Sequence, residues 1–433
     1  MLDTKKHKLR GRNNIMKSSN TYPCLSLLFV FLIISIAPVQ NLNAADDTAA
    51  MQARIEALEK ELAEIKALMK EQIQKSATKE EVAAVKEEAE VHRKWQEAEW
   101  KTYDSAVHLG GYGSVGLTND DHENDRFNQA TFNPIFHYAY KDLIMLEAEL
   151  EMEVEEDGGT GVGLEYMTID WFMNDYMTLL AGKFLSPLGN FRQNLHPAWV
   201  NKLPSAPTGF GHGQAAPIAD VGVELRGGFP IGNPMFANYA LFVSNGPGLE
   251  TNMAEDEIEE VHTAGGVSNE DENFLLGGRL GFLPIPNIEI GVSGAFSDVA
   301  LEDEDDRDYN VIGVDAFARW RDLDFRAEYI RQKVGSLASR MAPESQKWEA
   351  WYAQASYKLS KIPYKFLRQL EMVARYSDYD STHADQDQEQ WALGLNYLIA
   401  PQAMIKFAYE FNHGLAGEPT DEDRLLIQMA YGF

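Results

Sequence analysis

Apolar and polar residues alternate with period two along most of this chain, and Leu146–Glu155 shows the pattern most plainly. Every second residue there is glutamate, and the positions between are Leu, Ala, Leu, Met and Val. On a helix, steps of two residues turn by about 200°, which would scatter the glutamates around the whole circumference. On a strand they share one face and the apolar residues share the other. The pattern predicts a two-faced strand.

The same alternation takes over after Lys101 and continues to the last residue. It predicts strands at about 106–117, 131–140, 143–154, 163–172, 176–184, 220–229, 236–245 and 274–283. Eight more follow at about 287–297, 310–320, 323–331, 348–359, 369–377, 390–399, 402–411 and 424–433. That makes about 16 strands, and the links between them are sorted by parity. Tiny links (KD, MND, PIPN, RD, APQ) follow even-numbered strands. Long hydrophilic ones follow odd-numbered strands, among them TNDDHENDRFNQ, Leu185–Ala219 and Gly246–Asn273. Short turns at one end and long loops at the other are the arrangement of an outer-membrane barrel. A soluble, two-layered β protein of the periplasm, the competing reading, has no reason to sort its loops this way.

The outward face of such a barrel must suit hydrocarbon. Ile144, Leu146, Ala148, Leu150, Met152 and Val154 share one strand face. Ala403, Ile405, Phe407, Tyr409 and Phe411 share another, and Leu425, Ile427, Met429, Tyr431 and Phe433 a third. Strands of about ten residues span a tilted bilayer path, and closure removes the unpaired edges that lipid does not tolerate. A mean hydropathy of -0.34 agrees with this, because half of each strand faces water.

The first hundred residues read differently. Residues 1–44 hold six Lys/Arg against one Asp, then the apolar run CLSLLFVFLIISIAP, then NLNAADD with small Ala44 and Ala45. This is the form of a secretory signal peptide, with Met16 an alternative start and an uncleaved anchor the competing reading. In residues 45–100, Ile55, Leu58, Leu62, Ile65 and Met69 recur at alternating steps of three and four. Such a heptad seam predicts an α-helical coiled coil and self-association, with Ile leaning toward three strands. The alternative is a single amphipathic helix lying on its own barrel. The coil is expected on the periplasmic side, at the end of the termini and short turns.

Charge narrows the function classes. The 433 residues carry -29, and cleavage after residue 44 leaves -34 and removes the only cysteine. That balance argues against nucleic acid as a partner, and an exported chain without cysteine is held by hydrogen bonds, packing and lipid. No nucleophile motif, phosphate-cradling glycine loop, cofactor motif or Cys/His metal cluster is read from the sequence, so no catalytic residue, cofactor or metal is assigned.

The stretch AGKFLSPLGNF (Ala181–Phe191), the N-terminal heptads and the terminal AYGF together resemble the phosphate-selective porin superfamily of bacterial outer membranes. They are similar also to its coiled-coil-bearing trimeric relatives that pass small dicarboxylates. The resemblance implies an outer-membrane location, a homotrimer and a small-molecule or ion permeant, with lipid and lipopolysaccharide around the barrel. Phosphate-selective members use ladders of Lys and Arg, whereas this chain is heavily acidic, so phosphate specificity is not carried over.

A barrel of this size leaves a water-filled channel, and selectivity then rests on a constriction and on charged wall residues. The expected constrictor is the loop 185–219, which carries Arg192, His196, Lys202 and His212, five prolines, Trp199 and no acid. An outward loop touching lipopolysaccharide phosphates is the alternative. On the wall, Glu147, Glu149, Glu151 and Glu153 form an inward acidic ladder. Arg226, Arg279, Arg319, Arg326 and Arg375 are inward on other strands, predicting a transverse field unless Glu224, Asp315, Asp324 and Glu328 neutralise them locally. The acid-dense stretches Glu250–Glu272 and Leu301–Asp308 read as solvated outer loops, with a dedicated calcium site as the lesser alternative. The expectation is an all-β transmembrane antiparallel barrel over 101–433, preceded by the coiled coil and passing small hydrophilic, charged solutes. An outer-membrane esterase or protease, and a structural barrel tethered to a periplasmic partner, are the rival classes.

Overall fold

The computed structural model describes residues 104–433, apart from 121–125, 253, 255, 270–271, 302–303 and 339–340. The expected signal peptide and the heptad residues Ile55, Leu58, Leu62, Ile65 and Met69 lie outside the described residues. The strands are β1 (Ser105–Asp120), β2 (Arg126–Tyr140), β3 (Ile144–Val154), β4 (Thr160–Asn174), β5 (Met177–Leu185) and β6 (Ala219–Gly232). Next come β7 (Met235–Ser244), β8 (Gly248–Thr251), β9 (Ile258–His262), β10 (Leu275–Ile285), β11 (Ile288–Val299) and β12 (Arg307–Trp320). The last six are β13 (Leu323–Val334), β14 (Gln346–Lys358), β15 (Leu370–Asp380), β16 (Gln388–Ala400), β17 (Ala403–Gly414) and β18 (Arg424–Gly432).

All but β8 and β9 form one closed antiparallel barrel of sixteen strands, each hydrogen-bonded to its chain neighbours. β1 closes it on β18, from Tyr112 opposite Gly432 to Asp120 opposite Arg424. The last residue completes the seam. Phe433 exchanges two backbone bonds with Gly111, at 2.9 and 3.1 Å, and its ring stacks on Phe132 at 6.0 Å. Each window predicted from alternation coincides with a barrel strand, because a strand's two faces are a property of its own residues. Most strands run two to five residues further at the loop end, where polar sequence hides the extension.

Burial follows the predicted parity. Phe407, Tyr409, Phe411, Met429, Tyr431 and Phe433 are exposed on the outer face, whereas Lys406, Glu410 and Gln428 beside them are buried inside. At the outer face's loop-side rim Trp351, Tyr376 and Trp391 form a chain of rings with centroids 5.1 and 5.0 Å apart. Amphipathic rings at strand ends form an interfacial girdle.

One acid-dense loop departs from the expectation of free solvation. β8 and β9 pair as a hairpin within it, and Ile258 and Val261 are buried. The Ile258 amide donates to Gln346 Oε1 at 2.6 Å, and the amides of Ile218 and Ala219 donate to Thr263 O. The carboxylates of Glu250 and Glu259 stay exposed, while the Ile258 amide ties the hairpin to β14 and the Thr263 carbonyl ties the segment after it to the start of β6.

Candidate functional site

The loop between β5 and β6 folds into the barrel. It has one wide helical turn, Phe191–Leu195, and its backbone reaches strands far from its own roots. The Gly189 amide donates to Ser293 Oγ of β11, and the Phe191 amide to Glu328 Oε2 of β13 at 2.9 Å. Gly189 is left-handed (φ 87°), and a Cβ there would fall 1.8 Å from Glu328 Oε1, so the close approach requires glycine. Further along, Asn396 Nδ2 of β16 donates to Lys202 O at 2.9 Å, and Lys406 Nζ of β17 donates to Ala198 O at 2.5 Å. Ser205 Oγ donates to Glu410, also of β17.

Apolar packing reinforces these bonds. Leu203 is fully buried against Val373, Ala392, Ala408 and Leu426. Phe191 and Phe210 pack edge-on against Tyr352, with ring centroids at 6.2 and 5.1 Å. Trp199 lies over Gly432, where a Cβ would come within 2.8 Å of the indole. The loop is therefore stapled to the inner face of β11 and β13–β18, which lies across the barrel from the strands it connects.

The face left to the loop looks at β3 and β4. Arg192 Nη1 and His196 Nε2 each lie 3.9 Å from Glu165 Oε1. Arg192 also donates to Phe210 O at 3.1 Å, and His196 Nδ1 lies 2.5 Å from Arg192 O. Burial pushes the Arg192 guanidinium down, against the pull of Glu165 and Glu151. Burial, then the Arg192 charge, pushes His196 down to about 4, so its ring is neutral at pH 7 with Nδ1–H donating to the carbonyl. His212 is exposed on the same loop. Opposite, Glu149 is buried and accepts from Tyr112 Oη at 2.8 Å, while Glu147 accepts from Tyr166 Oη at 2.8 Å. Glu151 and Glu153 continue the ladder toward the loop end of β3.

The other predicted positions are occupied differently. Lys202 does not point free into the channel; its Nζ bonds both Glu371 oxygens at 3.1 and 3.2 Å, an anchor of loop to wall. Arg375 is fully buried and donates to Ser205 O, Ser205 Oγ, Ala206 O and Gln390 Oε1 at 2.8–3.0 Å. Arg279 is clamped by Asp315 at 2.5 and 2.8 Å and by Glu289 at 2.9 Å. Arg319 and Arg326 share Asp324, and Arg226 pairs with Asp170 at 3.2 Å. Local pairing by Asp315 and Asp324 is the alternative the sequence left open beside a transverse field. Arg226, Arg279, Arg319 and Arg326 are paired with adjacent carboxylates, and on the side of β3 and β4 the loop presents Arg192 to Glu165. Below the loop a cavity of about 780 Å³ is bounded by Asn190, Asn194, Glu224, Arg226, Arg279 and Arg326.

Three anchoring residues, Glu371, Lys406 and Glu410, escaped the sequence reading, and a fourth, Glu328, was read as a partner for wall arginines and not as an anchor. Each is a charged residue at an inward position of a strand, a signal visible in the alternation. The loop atoms they bind lie 137–208 residues away.

Residues 291–433 match the family described as phosphate-selective porin O and P. No curated protein matches. Among solved structures, the outer membrane channel DcaP of Acinetobacter baumannii is 11% identical over 78% of this chain and all of its own, with a TM-score of 0.52. An anion-selective porin from Comamonas acidovorans is 15% identical over 76% of this chain and all of its own, also at 0.52. OmpF of Salmonella typhi, in complex with daunomycin, is 11% identical over 76% of this chain and 97% of its own, at 0.50. At such identities the likeness is one of fold. The family match agrees with the closed sixteen-stranded barrel and its inward loop: over residues 291–433 the chain is similar to the phosphate-selective porins O and P, and its fold is that of the outer-membrane channels above.

Proposed function

We propose that this porin passes small, charged hydrophilic solutes by diffusion, and that its selective constriction lies between the loop 185–219 and the acidic ladder of β3. The observation that carries the reading is the docking of the loop on the far wall, which leaves Arg192 and His196 facing Glu165 and Glu151. Opposed charge along the edge of the aqueous path, where the Arg192–Glu165 contact meets the acidic ladder, aligns dipolar solutes and slows apolar ones, whose ordered water must be displaced without compensation. Glu147 to Glu153 supply the negative side and the loop the positive one. The wall pairs around Arg279 and Arg326 shape the vestibule without contributing much net field.

Planar-bilayer recording of the purified protein under a salt gradient tests this. Glu151→Gln should move the reversal potential toward anions, and Arg192→Ala toward cations. Unchanged reversal potentials in both would reject the constriction, and a silent bilayer would reject the channel. The heptad seam Ile55, Leu58, Leu62, Ile65 and Met69 supports a homotrimer on the periplasmic side. Conductance steps in groups of three would support it, and replacing Ile55, Leu58 and Leu62 with Asp should lower the mass of the complex in detergent.

A further inference from the structure

At the short-turn end of the lumen, His108 of β1 and His137 of β2 stand directly opposite each other on the inward face. Their Nδ1 atoms are 3.2 Å apart and their rings are tilted by 37°. His137 in turn lies opposite Glu147 of β3, with Nε2 3.6 Å from Oε1. Glu147 is itself held by the Tyr166 hydroxyl at 2.8 Å. In the sequence 29 positions separate the two histidines, so nothing local marks the pair.

From this geometry we propose that His108 and His137 form a site in the lumen for a borderline divalent transition-metal ion such as Zn²⁺, Ni²⁺ or Cu²⁺. With metal–nitrogen bonds of about 2.0–2.1 Å, two imidazoles on a tetrahedral ion place their nitrogens roughly 3.3 Å apart. The observed separation is that edge length. Glu147 supplies the supporting contact that imidazole ligands commonly use. A carboxylate beside Nε2 favours the Nε2–H tautomer and leaves the Nδ1 lone pair for the metal. His108 is exposed, so an incoming ion can reach its ring.

The ladder Glu147–Glu153 beside the pair concentrates dications at this spot, and the imidazoles then select borderline ions over Mg²⁺ and Ca²⁺, which prefer oxygen. With two protein ligands and the remaining positions taken by water, the ion exchanges quickly. The site is a modulatory one that adds positive charge beside the acidic ladder.

Calorimetric titration of the purified full-length protein with ZnCl₂ at pH 7.5, after chelator treatment, tests the site. One ion per barrel is expected, with at least ten-fold weaker binding in both His108→Ala and His137→Ala and no response to MgCl₂. Binding unchanged in the two variants, or equal responses to Zn²⁺ and Mg²⁺, would overturn the proposal. Electron paramagnetic resonance of wild type loaded with one Cu²⁺ gives a readout that needs no variant: coupling to two nitrogens is expected, and coupling to none refutes the site. These measurements read metal binding directly, so they stand or fall apart from the channel activity.

Discussion

Replacing Arg375 with Met should loosen the constriction loop while leaving the barrel closed. The guanidinium is fully buried and makes four hydrogen bonds, three of them to Ser205 and Ala206 of the loop. Hydrogen bonds from a charged donor contribute about 1.5–3 kcal/mol each, and removing one partner of a buried charged cluster costs about 3–5 kcal/mol. The loss falls at the lower end because Glu410 keeps Arg424, whose Nη2 lies 2.9 Å away. A loss of about 3 kcal/mol raises the undocked fraction of this part of the loop by roughly 100-fold. Lys406, Lys202 and Leu203 still hold the neighbouring turns, so the expected behaviour is intermittent release. Single-channel recordings should show brief excursions to larger conductance, and protease should cleave near Ser205 in the folded barrel. Arg368→Met, on an exposed turn, controls for loss of an arginine as such. Quiet traces and an uncut loop in folded Arg375→Met would refute the assignment of this residue as the clamp.

Three further outcomes follow from the same packing. The neutral His196 has an ordinary value near 6.5 when the loop is out and about 4 when it is docked, so the undocked state binds the extra proton between those pH values. Docking is therefore fully stable above pH 6.5 and weakens as pH falls to about 4, by up to roughly 3 kcal/mol. Hydrogen exchange of the loop amides should accelerate over that window, and His196→Asn, which keeps a donor for Arg192 O, should abolish the pH dependence. Gly189→Ala places a methyl group against Glu328 and strains a left-handed residue, costing about 1–3 kcal/mol; faster exchange of the Phe191 amide reports it. Phe433→Ala removes the stack on Phe132 at the β1–β18 seam and should lower the temperature at which the barrel loses its heat-resistant mobility on a gel.

The sequence alone determined where the walls run and which way each residue faces. Leu146 to Val154 shows why: alternation is a local property, so Glu149 and Leu150 take opposite faces whatever the rest of the chain does. Loop parity likewise told short turns from long loops without reference to pairing. The hairpin β8–β9 was lost because only Ile258 and Val261 mark it within an acidic stretch. Tertiary structure decided which charges act. Arg192 and Lys202 look equivalent in the loop sequence, yet one faces Glu165 and the other is bound to Glu371. Arg279 and Arg375 share inward parity, yet carboxylates on neighbouring strands neutralise the first and loop carbonyls hold the second. Charge–charge energies depend on distance across the closed lumen, and that distance exists only once β1 has met β18.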